Sequence, residues 1–142
     1  MSTRGVIARQ INNREVEYLY SHWDNYLEYN GVILQEHYNT KEKVDALFAK
    51  NRGISSLARS VEKTNFYEEE GEAIKRCPLN FLNTRADGCW AEYIYVFTLK
   101  GEWKYREIWS IPKDNGEWAL GWSRFKSLAK AVEKTLQNNQ SA

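Results

Sequence analysis

From Tyr93 to Trp109 the chain alternates with period two, and this segment restricts the fold more than any other. Tyr93, Tyr95, Phe97 and Leu99 alternate with Ile94, Val96 and Thr98. Successive side chains of a strand point to opposite faces, and here both faces are apolar. The pattern predicts a central strand covered on both sides. Lys100-Gly101-Glu102 reads as a turn. Trp103, Tyr105, Glu107 and Trp109 then alternate with Lys104, Arg106 and Ile108. The second arm has a basic face near its start, so part of it is expected in water.

Other segments supply the partners such a strand needs. Thr3 to Ile11 and Glu15 to Trp23 read as a hairpin, with Asn12-Asn13 as a turn pair that tolerates positive φ. Leu34 follows Gly31 by three and precedes Tyr38 by four, which predicts a short helix over 31–38. Asn39-Thr40-Lys41-Glu42 has capping-box spacing, and Val44, Leu47 and Phe48 line one face of a second helix over 41–50. Gly53 reads as its terminator. Ile54 to Leu57 is short and extended. The polar stretch from Ala58 to Cys77 carries little periodicity, with a short strand expected near Ala73–Lys75. Pro78 opens a helical segment from Leu79 to Thr84 that stops before Gly88. Pro112 to Gly116 reads as a loop, and Trp118, Leu120 and Trp122 as a last short strand.

The firmest helix is the last. Ser123 is its candidate cap, and Phe125, Leu128, Ala131, Val132 and Leu136 recur at helical spacing. Residues 137–142 are polar and expected to fray. Strands, then helices, then strands and a helix define an α+β domain over 1–142. Its antiparallel sheet is expected to carry helices packed mainly on one face.

Charge and composition narrow the function. In 142 residues, 20 Lys and Arg balance 19 Asp and Glu, a net charge of +1. That excludes a uniformly basic nucleic-acid coat and an acidic DNA mimic. No apolar run spans a membrane and no signal peptide opens the chain, so a cytoplasmic protein with reduced thiols is expected. Cys77, Cys89, His22 and His37 lack zinc-finger spacing, and no metal or cofactor is implied. Glu68-Glu69-Glu70 and Glu72 read as a solvated loop. The Lys126, Lys130, Lys134 stripe reads as a wet helix face.

The chain holds six Trp and nine Tyr, and six Trp exceed what a core of this size needs. At least one Trp is therefore expected on a binding surface, because Trp, Tyr and Arg dominate interface hot spots. Catalytic motifs are sparse. There is no phosphate loop, dinucleotide fingerprint or nucleophile elbow. His22-Trp23-Asp24, at the end of a strand, is the best local candidate. Asp24 could orient His22 as a general base, with His37 approaching after the chain turns back. The ordinary alternative is a loop in which His22 and Asp24 bond backbone and Trp23 packs. Trp103-Lys104-Tyr105-Arg106 interleaves bases and aromatics as single-strand binders do. Alternation places the two kinds on opposite faces, which argues against nucleic acid. A small anion held by Arg4, Arg106 or Arg124 against an aromatic wall fits equally.

One resemblance joins several of these segments. Ser2-Thr3-Arg4, His22-Trp23-Asp24-x-Tyr26, Gly31-x-x-Leu34-x-x-His37-Tyr38-Asn39 and Ile54-Ser55-Ser56-Leu57 occur in that order. The set resembles a family of small bacteriophage and prophage proteins that carries no assigned activity. The likeness covers the first 57 residues and returns loosely from Trp90 to Trp103. Asn25 stands where the family has Gly, and Leu27 where it has Pro, so the loop after Asp24 is expected to take its own path. The resemblance implies a phage accessory protein acting in the bacterial host cell.

The leading expectation is a non-enzymatic protein that binds and blocks a host protein, a component of anti-phage defence. A sponge for a nucleotide-like signalling molecule and a small enzyme using His22 and Asp24 are the alternatives. Candidate ligand- or partner-binding residues are Arg4, His22, Trp23, Asp24, Tyr26, His37, Trp103 and Arg106. Exposed sheet edges also make a homodimer an expectation.

Overall fold

The computed structural model describes residues 3–68 and 73–140. Nine strands run in chain order: β1 (Gly5–Gln10), β2 (Glu15–Ser21), β3 (Ile54–Ser56), β4 (Asn65–Phe66), β5 (Lys75–Pro78), β6 (Tyr93–Phe97), β7 (Trp103–Pro112), β8 (Trp118–Trp122) and β9 (Lys126–Ser127). Among the described residues four α-helices accompany these strands: α1 (Val32–His37), α2 (Lys41–Ala49), α3 (Leu82–Gly88) and α4 (Leu128–Gln140). A π-turn over Leu27–Gly31 leads into α1, and a 3-10 turn over Leu79–Phe81 leads into α3.

The β1–β2 hairpin forms as the sequence predicts. Asn12 Oδ1 accepts from the backbone N–H of Arg14 and Glu15, both at 2.9 Å, and so closes the turn. The strand order is β4-β3-β2-β1-β6-β7-β8, with β5 also on β2 and β9 also on β7. Most pairs are antiparallel. Two are parallel, β1 with β6 and β2 with β3. Parallel neighbours require a crossover, and α1 and α2 provide the one between β2 and β3.

Two apolar layers sandwich the sheet. Ile7, Leu19, Tyr95, Phe97, Trp103 and Tyr105 face α1, α2 and α4, where Leu34, Leu47, Phe48 and Leu128 are buried. Val6, Ala8, Val16, Ile94, Val96 and Ile108 face α3 through Leu82 and Ala86. The domain is therefore α+β, with three helices on one face and one on the other. β6 is central and buried on both faces, as its pattern predicts. Each large aliphatic side chain in these layers contributes roughly 1.5–3 kcal/mol by leaving water.

Several local expectations are corrected. The cap of α2 is Thr40, whose hydroxyl accepts from Lys43 N at 3.3 Å. Asn39 reaches Lys43 Nζ instead. Ser123 does not cap α4. Lys126 and Ser127 pair with β7, so the helix begins later and Ser127 Oγ accepts from Lys130 N. Phe125 lies before the helix. α4 itself runs through Gln140, and 141–142 lie outside the described residues. Gly88 belongs to α3. The strand expected near Ala73 begins at Lys75, and Pro112 ends β7. Of the acidic cluster, Glu69, Glu70 and Glu72 lie outside the described residues.

Candidate functional site

The loop after β2 is built around Asn25, which is fully buried. Its amide donates to the backbone oxygens of Thr3, Ser21 and Trp23, and its Oδ1 accepts from Asn30 Nδ2 at 2.9 Å. Tyr95 donates its hydroxyl to the Asn25 backbone oxygen at 2.7 Å. Gly5 makes room for this, because a Cβ there would sit 2.7 Å from the Asn25 side chain. Buried amides are tolerable only when bonded in this way. Asp24 holds a positive φ of 61°, a conformation Asp adopts more readily than most residues.

This geometry does not form the His22–Asp24 pair. His22 Nδ1 lies 2.6 Å from the Tyr20 hydroxyl, and its ring meets Trp23 edge-on at 4.7 Å. Arg4 lies beside the same phenol, where its charge partly offsets the burial that raises the Tyr20 pKa. Arg4 and His22 therefore meet at Tyr20, with Trp23 packed on His22. Asp24 and His37 enter no hydrogen bond with His22 among the described residues.

The remaining sequence candidates are scattered. His37 lines a separate cavity of about 730 Å³ with Glu28, Tyr29, Arg59 and Lys63. Tyr26 packs near Tyr29, at 6.1 Å between ring centroids. Trp103 is 3% exposed and donates Nε1–H to the Tyr38 backbone oxygen at 2.8 Å, so it presents no binding surface. Arg106 lies 3.9 Å over the Phe125 ring and donates to Asn83 Oδ1, tying β7 to α3. Burial lowers its pKa. Among the described residues, no group of three or more His, Cys, Asp or Glu is arranged to hold a metal ion. Burial also raises the Cys77 and Cys89 thiols, away from reactive thiolates.

The tryptophan excess resolves at the other side of the sheet. Five of the six are exposed, and four of these lie on or beside the β7–β8 ribbon. Every residue from Trp109 to Trp118 is exposed, so the ribbon projects from the sheet as an arm. Register places Ile108 opposite Trp122, Ser110 opposite Leu120 and Pro112 opposite Trp118. Trp118, 68% exposed, thus shares one face with Trp122, while Trp109 and Ile111 occupy the other. Trp109 lies against Gly121, where any Cβ would sit 2.5 Å from its Nε1. β8 ends the strand order, so the arm also offers a strand edge.

Trp90 stands at the base of this arm and is the most exposed of the six at 78%. It terminates α3: Trp90 N–H donates to Asp87 O and Ala91 N–H to Ala86 O, both at 3.0 Å. This is the hydrogen-bond pattern of a Schellman cap, and its left-handed residue is usually Gly. Trp90 holds that position with φ 65°. The left-handed conformation costs about 1–2 kcal/mol for an L side chain, and so exposed a ring recovers little of it by burial.

Two further grooves each gather more than one aromatic residue. One, of about 410 Å³, lies between the α3–β6 turn and the arm, with Asp87, Trp90, Glu92, Tyr93, Glu107 and Trp109 among its lining. Burial, reinforced by Glu107, Glu28 and Glu92, pushes the Tyr93 phenol up to about 12. The second, of about 580 Å³, runs between β2 and α3. It is walled by Tyr18, Tyr20 and Phe81, and its charged lining residues are Lys75 and Arg85.

Comparison with known proteins returns no matching family model, no matching curated protein and no matching solved structure. No helix among the described residues is long and apolar enough to cross a membrane.

Proposed function

We propose that this chain is a non-enzymatic binding protein that docks on another protein through the β7–β8 arm and blocks it. The observation that supports this reading is the arm itself, with Trp109, Ile111, Trp118 and Trp122 exposed on its two faces. Exposed apolar clusters of this kind mark interaction surfaces, and tryptophan is the side chain most enriched at interface hot spots. The resemblance to phage proteins names the kind of partner: a protein of the bacterial host, within its anti-phage defence.

The test starts with a photo-crosslinking residue at Trp118 and a control at Glu36, used in bacterial lysate. The captured host protein is then purified and titrated against the wild type and a Trp118→Ala/Trp122→Ala variant. We expect capture from position 118 alone and at least tenfold weaker binding by the variant. Equal binding by the variant would end the proposal. Native mass spectrometry of the gently purified protein settles whether a second copy covers the arm instead.

A second reading has its own support. The Tyr18, Tyr20 and Phe81 groove combines stacking rings with Lys75 and Arg85, the chemistry that holds an aromatic anion such as a nucleotide. It adjoins Tyr20, the residue that His22 and Arg4 approach. Thermal shifts against a nucleotide panel, lost in Phe81→Ala and Arg85→Ala, would support a sponge. No shift with any nucleotide would end that reading.

A further inference from the structure

Resting on the docking reading above, we infer that the groove between Trp90 and Trp109 receives an arginine side chain from a basic segment of the protein partner. The groove lies at the base of the arm, continuous with the apolar surface that Trp109 begins. Its charge has one sign. Asp87, Glu92 and Glu107 line it, no Lys or Arg does, and none of the three carboxylates enters an ion pair or side-chain hydrogen bond among the described residues. What sets these three apart is that they converge on one groove beside exposed indoles with no cation among its lining. Three unneutralised carboxylates beside exposed rings form a surface that lacks its complement.

The rings define what that complement is. A guanidinium is planar, stacks on an indole face and still presents N–H groups at its edge to carboxylates. Trp90 and Trp109 supply indoles, and Asp87, Glu92 and Glu107 supply acceptors. The phenol of Tyr93 stays protonated well beyond neutrality, so it adds a hydroxyl without adding charge. A neutral apolar anchor would use the rings and leave the carboxylates desolvated and unpaired, which disfavours it. An acidic segment would be repelled. Trp90 is also placed against local preference: its left-handed cap position would be met at lower free energy by glycine. Retaining a mostly exposed indole there has a rationale if the indole is a contact.

The experiment titrates the full chain with acetylated hexa-arginine, following tryptophan fluorescence, with hexa-glutamate as the control peptide. We expect saturable binding of hexa-arginine that weakens with salt, and none of hexa-glutamate. Trp90→Gly should weaken binding at least tenfold while raising the melting temperature, so the loss cannot come from misfolding. Trp109→Ala should weaken it too, and Glu92→Gln/Glu107→Gln should weaken it and flatten its salt dependence. Absence of saturable binding, or unchanged binding by Trp90→Gly, would overturn the inference. Failure here with crosslinking from Trp118 intact would remove only the arginine site. Hexa-arginine binding without any protein captured at Trp118 would instead remove the docking reading.

Discussion

Trp90 and Asn25 show how much a single position can settle. Trp90 sits where backbone geometry favours glycine. We predict that Trp90→Gly stabilises the protein by about 1 kcal/mol, a rise of about 3 °C in melting temperature. Asn25 is the reverse case, a buried polar group that satisfies its neighbours. Asn25→Ala removes the side-chain donor to the Ser21 oxygen, one of two donors to the Thr3 oxygen and one of two acceptors of the Asn30 amide. It should cost about 2–4 kcal/mol in urea unfolding. Neither role was legible beforehand. Gly88 reads as the helix terminator in sequence, yet the left-handed turn falls on Trp90, two residues later. Asn25 reads as a departure from a family pattern, because its partners come from four separate parts of the chain. The tryptophan excess did point to an exposed ring, though it could not say which one. Alternation put Trp103 on a strand, but only the helices packed above it bury it.

At the scale of elements, the arm and the core part company. Trp118→Ala/Trp122→Ala removes exposed rings and should change stability by no more than about 0.5 kcal/mol. Leu128→Ala empties a fully buried position at the start of α4 and should cost about 2–5 kcal/mol. Chemical denaturation of the two variants makes the comparison. Between β2 and β5, Arg76 bonds both Glu15 oxygens and holds that carboxyl down to about 2, from an ordinary 4.5. A carboxylate depressed in the folded state adds stability above its unfolded pKa and loses it as pH falls through the folded one. The melting-temperature difference between wild type and Glu15→Gln should therefore be present at pH 5 and vanish toward pH 2. The effect is small, because the pair is exposed to solvent. Elements with strong internal periodicity, namely β1, β2, β6, β7 and α2, were legible in sequence. β9 was not, because its two residues become a strand only where β7 offers an edge. The delayed start of α4 follows from the same pairing.

For the whole molecule, the two apolar layers meet across β1 and β6, and the arm lies outside both. Hydrogen exchange should reflect that arrangement. The slowest amides are expected in β1 and β6, exchanging only through global unfolding, and the fastest in residues 109–118. Equal protection in the arm would mean that a second copy covers it.

β1 is the middle strand of the sheet and is made well before its neighbour β6, and that has a consequence on the ribosome. β1 can fold back on β2 within seconds of leaving the tunnel, but its other neighbour is β6. The chain between Gln10 and Tyr93 takes roughly 4–17 s to synthesise at about 5–20 residues per second. During that interval the nascent hairpin carries Val6, Ile7 and Ala8 along an open strand edge. A sequence-distant closing strand makes the synthesis of β6 the moment at which the sheet closes, and until then the open edge of that hairpin is free to pair with other chains.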